Sequence, residues 1–303
     1  MLKIIKQAVW QLQQRNQKAS ALAFLRVALC SWYLKELLFR WPALELLYSN
    51  NSILKIKASN SFQLFHLDAA FFSEHYLVLV YCCIILLLLN LLGIGKNLLA
   101  FILFIALTML YNLNDKFGNS GDEMVLLLFF YLSFANSFSR FTLFKQKQIG
   151  VDKQHFYNLM SNLAAYSIIF NLCLAYFLAG AFKAQDPYWI KGTGIHYFLN
   201  DERFSIFAAG NTLHLPTWLM YLVNYGTIAF ELSFPFLVWF RQSRNVVLSL
   251  GLMMHLGIYL FLMIYGMSIV FIIQYVLFFT EEELNQCFQK IKLLFIKRKQ
   301  LQT

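Results

Sequence analysis

Charge is what this sequence has least of. Only 13% of its 303 residues are Asp, Glu, Lys or Arg, about half of what keeps a soluble domain solvated. A soluble globular chain is excluded on that ground. Cysteine is also sparse: Cys30, Cys82, Cys83 and Cys173 fall inside apolar runs, where a thiol packs as a small hydrophobe, and Cys287 lies in a basic tail. No spacing among them suggests a disulfide framework or a metal site. A Walker loop, a dinucleotide fingerprint, HExxH, G-x-S-x-G and paired histidines at helical metal-ligand spacing are missing too. Nucleotide-driven transport and zinc proteolysis therefore have no residues to stand on, and no cofactor is evident from motifs.

What the sequence has in abundance is apolar length. Hydrophobic residues make up 59% of the chain and Phe alone occurs 32 times. Apolar runs cover 20–39, 75–94, 97–112, 122–138, 158–182, 215–239, 246–263 and 267–280. Several fall short of the roughly 20 residues of a straight crossing, so tilt or local thinning is expected. The expected fold is an all-α polytopic bundle of about eight transmembrane helices. Residues 1–18 form an amphipathic basic segment lying on the inner membrane surface, 19–280 the membrane domain and 281–303 a basic cytoplasmic tail.

Orientation follows from the cations. With the N-terminus inside, sixteen of the 25 Lys and Arg residues fall on the cytoplasmic side. Seven (Arg40, Lys55, Lys57, Lys116, Lys183, Lys191 and Arg203) fall outside, and Arg26 and Lys35 lie within the first span. That bias predicts both ends in the cytoplasm. The net charge of +10 is thus assigned to topology and anionic headgroups, and a nucleic-acid partner is rejected. The long connections then lie outside: 40–74, the acidic turn DKFGNSGDE at 115–123, and KAQDPYWIKGTGIHYFLNDERF at 183–204.

Lys183 ends the fifth span, one turn after the small pair Ala179-Gly180, which admits a neighbouring helix closely. Partial dehydration there would make its amine a base or nucleophile; the alternative is a lysine snorkelling to the headgroups. After it, Asp186-Pro187-Tyr188-Trp189, Gly192, Gly194 and His196-Tyr197 read either as an aromatic belt with a loop or as a re-entrant segment closing over a cavity. Asp122 either caps the fourth span, beside Asn119 and Ser120, or pairs with Lys183. Inside the membrane, Glu231 lies about 12 Å from the inner end of its span and Arg26 about 10 Å deep, which suggests an ion pair. Asn171 and His255 reach similar depth. These four make one polar cluster, serving either packing or a substrate or proton site. Pro235 leaves the Glu231 carbonyl without its usual helical donor.

The run FNLCLAYFLAGAFKAQDPYWIKGTGIHYFLNDERF, then YGTIAFELSFPFLVWFR and HLGIYLFLMIYGMSIVFIIQYVLFF, resembles the HTTM domain, the membrane domain shared by vitamin K-dependent gamma-carboxylase and many bacterial proteins. The segments AFLRVALCSWYLKELLFRW and GNSGDEMVLLLFFYLSF fit the same pattern, so the resemblance covers roughly residues 19–280. The chain looks most like the short bacterial members of the sporulation-delaying-protein B type, associated with maturation of a secreted toxin peptide. The resemblance implies a bacterial cytoplasmic-membrane location and a reduced quinone as cofactor. By the spacing AG-x-x-K it places the quinone-deprotonating lysine on Lys183. Trp189, Gly192 and His255 match further family positions, with His255 taken as a second catalytic residue and Asp122, Trp189, Gly192 and His196 as an outer-face site. The chain is expected to lack the large extracytoplasmic domain that binds the carboxylase propeptide, and Asn171 stands for the family's usual glutamine. Both departures count against glutamyl carboxylation.

Three functions remain in play. The first is a membrane enzyme or peptide-maturation factor acting at the outer face, with Lys183 as base. The second is a non-catalytic partner, such as an immunity or accessory protein for an exported peptide. The third, a transporter, rests on Glu231, Arg26 and His255, and is weakened by the absence of a repeat.

Overall fold

The computed structural model describes residues 2–50, 52, 62, 68–113, 120–144, 150–205 and 216–300. Lys55, Lys57, Lys116 and Asn119 lie outside the described residues. All regular structure among those described is helical. Each of the eight apolar runs carries a helix, and three helices, Lys96–Leu113, Val151–Lys183 and Arg241–Phe261, are long and apolar enough to cross a membrane. The chain divides into two compact units, Met1–Ser167 with Phe279–Thr303, and Ile168–Phe278.

The first unit comprises α1 (Leu2–Gln14), α2 (Ala19–Phe39), α3 (Leu44–Tyr48), α4 (Ala69–Glu74), α5 (Tyr76–Leu91), α6 (Lys96–Leu113), α7 (Ser120–Phe134), the first half of α8 (Val151–Lys183) and, returning at its end, α14 (Glu281–Gln300). Helix α2 packs on α5, α5 on α6 and α6 on α7. The sequence of α5 is apolar on every side, yet only Val80, Cys83, Leu87 and Asn90 are buried. That alternating spacing of three and four residues is one stripe of a helix packed in a bundle. The remaining faces leave Val78, Tyr81 and Ile85 more than half exposed. Water does not tolerate such a surface over successive helices, whereas lipid does.

Gly93 turns the chain from α5 into α6 with φ +76°, a conformation open to glycine, and a Cβ there would collide with Thr142. The end of α1 and the start of α14 are tied down. Asn162 Nδ2 donates to the Leu12 and Arg15 carbonyls and Asn158 Nδ2 to that of Gln13, satisfying the last turn of α1. The Glu281 carboxylate accepts from the Ser20 amide at 2.9 Å and its hydroxyl at 2.6 Å, and meets Arg140 at 2.9 Å. A carboxylate thus closes the first turn of α2 at the positive end of its dipole.

The second unit holds the C-terminal half of α8, the short helices α9 (Pro187–Ile190) and α10 (Gly194–Asn200), and then α11 (Thr217–Leu237), α12 (Arg241–Phe261) and α13 (Tyr265–Gln274), which continues as a tighter turn to Phe278. Helix α12 packs on both α11 and α13, and α10 lies on α11. At 33 residues, α8 runs about 50 Å.

Candidate functional site

The site is built where α8 stops. Gly180 presents no side chain, so the backbone of α8 comes against Glu231 and Leu232 of α11, where even a Cβ would lie 3.0 Å from both. One turn on, Lys183 Nζ meets the two carboxylate oxygens of Glu231 at 2.8 Å each. The Glu231 side chain is only 7% exposed and that of Lys183 23%. The indole of Trp189 lies over Lys183 Nζ at 5.2 Å, a cation–π contact. Fourteen residues of α11 precede Glu231, about 21 Å of helix. Lys183 therefore ends α8 far along the neighbouring helix, and not level with its start.

The segment after Lys183 is consequently carried beside the N-terminal half of α11. Asp186 caps α9 through the amides of Tyr188 and Trp189. The Trp189 carbonyl receives Asn224 Nδ2 and the Ile190 carbonyl receives the Tyr225 hydroxyl, both at 2.8 Å. Irregular backbone so placed keeps its polar groups satisfied by neighbouring side chains, a condition for lying at membrane depth. Gly192 is required by its φ of +78° and by the Tyr221 ring, which a Cβ would strike. Gly194 lets the backbone lie on the indole of Trp189. His196 points away, exposed and bonded to Asn200. Beyond α10, the side chain and amide of Arg203 hold the Asp201 carboxyl low, at about 2, and close the turn that ends this segment.

Lys183, Trp189 and Glu231 line a cavity of about 610 Å³ whose walls are otherwise largely apolar, with Ala179, Val223 and Phe271 among them. His255 lies on its wall and is 2% exposed. Its Nε2 is 2.7 Å from the Tyr176 hydroxyl, which in turn meets the Tyr275 hydroxyl. His255 Nδ1 is buried with no hydrogen-bond partner among the described residues. The cavity thus presents an ion pair within an apolar enclosure, with His255 in its wall.

Other expected sites resolve differently. The Arg26–Glu231 ion pair is replaced: Glu231 is held by Lys183, and Arg26, buried in the α2 stripe, gives its guanidinium to carbonyls. It bonds those of Asn90, Leu91, Ser137, Arg140 and Phe141, which include the orphan carbonyls ending α5. His255 is bonded to Tyr176. Asn171 is half-buried in α8. Asp122 lies in the first turn of α7 with Arg40 at 3.4 Å, and Arg40 is also 3.6 Å from Glu36. Equal depth along separate helices does not make two side chains face each other, and that is why these pairings differ. Sequence reasoning missed Tyr176, Asn224 and Tyr275. Their signal was a polar handle inside an apolar run, where a buried hydroxyl or amide must find a partner.

No protein-family profile, curated protein or solved structure matches the chain.

Proposed function

We propose that the chain crosses the bilayer eight times with both ends in the cytoplasm, and that Ile168–Phe278 encloses a site for a lipid-soluble, ring-bearing substrate of the quinone kind. Lys183 belongs to its acid–base centre. This reading keeps the resemblance to the HTTM and carboxylase-like membrane proteins, together with a bacterial cytoplasmic membrane and an exported peptide as the downstream target. The observation that carries it is the Lys183–Glu231 pair in the wall of the otherwise apolar cavity. An ion pair buried at membrane depth is expensive to desolvate and marks function by default. The cavity volume lies within the range of small-molecule sites. Trp189, Phe271 and His255 give the wall a ring-rich character suited to a ring-bearing substrate.

The test is mass spectrometry of lipids retained by protein purified in mild detergent. The wild type should retain a quinone or quinol, and Ala179→Trp, which fills the cavity, should lose it. Absence of a quinone from the wild type, or equal retention by Ala179→Trp, would overturn the reading.

A further inference from the structure

Within this cavity Lys183 Nζ sits between a carboxylate on one side and an indole face on the other, in an ion pair with Glu231. For its amine to accept a proton it must first lose one. Lost to solvent, that proton leaves the buried Glu231 carboxylate as an uncompensated charge, the costliest state such a pair can adopt; handed to Glu231, it ends on the same carboxylate that the direct route protonates. The direct route creates no new net charge. A substrate hydroxyl gives its proton to a carboxylate oxygen of Glu231, the O–H electron pair stays on the substrate oxygen, and the Lys183 ammonium passes from the carboxylate to the new oxyanion. One positive and one negative charge remain in contact throughout.

We infer that Glu231 is the proton acceptor of this site and Lys183 the fixed cation that stabilises the oxyanion, so the cavity takes compounds with an acidic phenol-type hydroxyl on an apolar body. The inference rests on the proposed reading of the cavity as the substrate site. The geometry favours this division of labour in two further ways. Both carboxylate oxygens face the ammonium at equal distance, so one can take the proton while the other keeps its contact. Gly180 sets the Glu231 backbone against α8, which holds the carboxylate beside the lysine and keeps it from turning out to lipid.

The experiment counts protons. 2-Naphthol, whose neutral and ionised forms absorb differently, is titrated into the purified full-length protein near neutral pH. Calorimetry in buffers of different ionisation enthalpy then reads the protons released. The expected result is bound naphtholate with no proton released, because the proton stays on Glu231. Lys183→Arg, whose guanidinium cannot act as a base, should still bind naphtholate. Loss of naphtholate, but not of neutral naphthol, from Lys183→Arg would assign the base to Lys183, and release of one proton per naphtholate bound would show that no group of the cavity keeps the proton; either result overturns the inference while leaving the cavity reading intact. Naphthol bound only in its neutral form would overturn it too. If 2-naphthol does not bind, or binds equally to Ala179→Trp, the cavity reading itself falls and the inference with it.

Discussion

Lys183 and Glu231 each justify the burial of the other, and removing one partner leaves a charge with no answer. Lys183→Met alone should therefore destabilise the protein by about 3 kcal/mol, as broken buried pairs do, whereas Lys183→Met with Glu231→Leu should recover much of that loss. Thermal unfolding of the single and double variants in one detergent checks this, and additive losses would deny the coupling. Arg26 makes a different kind of statement. Its guanidinium bonds carbonyls at the end of α5 and in the 137–141 segment, and Arg26→Met leaves several of those acceptors unsatisfied. Each orphan acceptor costs about 1–3 kcal/mol, so that variant should lose at least about 2 kcal/mol in the same assay. Arg26→Lys should rescue little, because one ammonium cannot span the fork.

At the scale of elements, the 186–205 segment depends on a few local devices. Gly192→Ala forces a side chain onto positive φ and into Tyr221, and should destabilise the protein by about 1 kcal/mol or more. Tyr221→Ala in the same chain removes the clash but leaves the strain, so the rescue should be partial. The turn after α10 carries a pH dependence with a definite sign. The Asp201 carboxyl is held at about 2 by Arg203, below its ordinary value near 3.8. Its contribution is therefore present above that ordinary value and lost as pH falls towards about 2. Pepsin cleavage around Phe204 should rise across that interval in the wild type, relative to Asp201→Asn, which should be cut readily throughout. An unchanged ratio would remove Asp201 from this role.

At the scale of the whole molecule, the proposed eight crossings with both ends inside predict a labelling pattern. In a cysteine-free background, a cysteine at position 202, exposed after α10, should react with an impermeant maleimide in intact cells. One at position 153 should react only after permeabilisation. Reaction of both, or of 153 alone, would defeat the topology. The exposed apolar surface of α5 also predicts that the protein is lost from solution when detergent is withdrawn.

The sequence alone determined that this chain is helical, where its apolar helices lie, and which short list of polar residues is too costly to be incidental. The physical reason is that apolar length and the three-and-four spacing of buried residues are local properties, readable along one helix at a time. Lys183, Trp189, Glu231 and His255 were legible in the same way, as ionisable or interfacial groups in or beside apolar runs. Their partners were not. Counting residues estimates depth from an assumed common boundary, and α8 ends beside residue 231 of α11 rather than at its start. Only the packing of Gly180 on Glu231 decides that register. It brings Lys183 to Glu231, while His255 finds Tyr176 and Arg26 finds backbone carbonyls in its own unit. The helices that seemed fixed by composition are thus the simpler half of the molecule; which charge answers which was settled by how closely two backbones could approach.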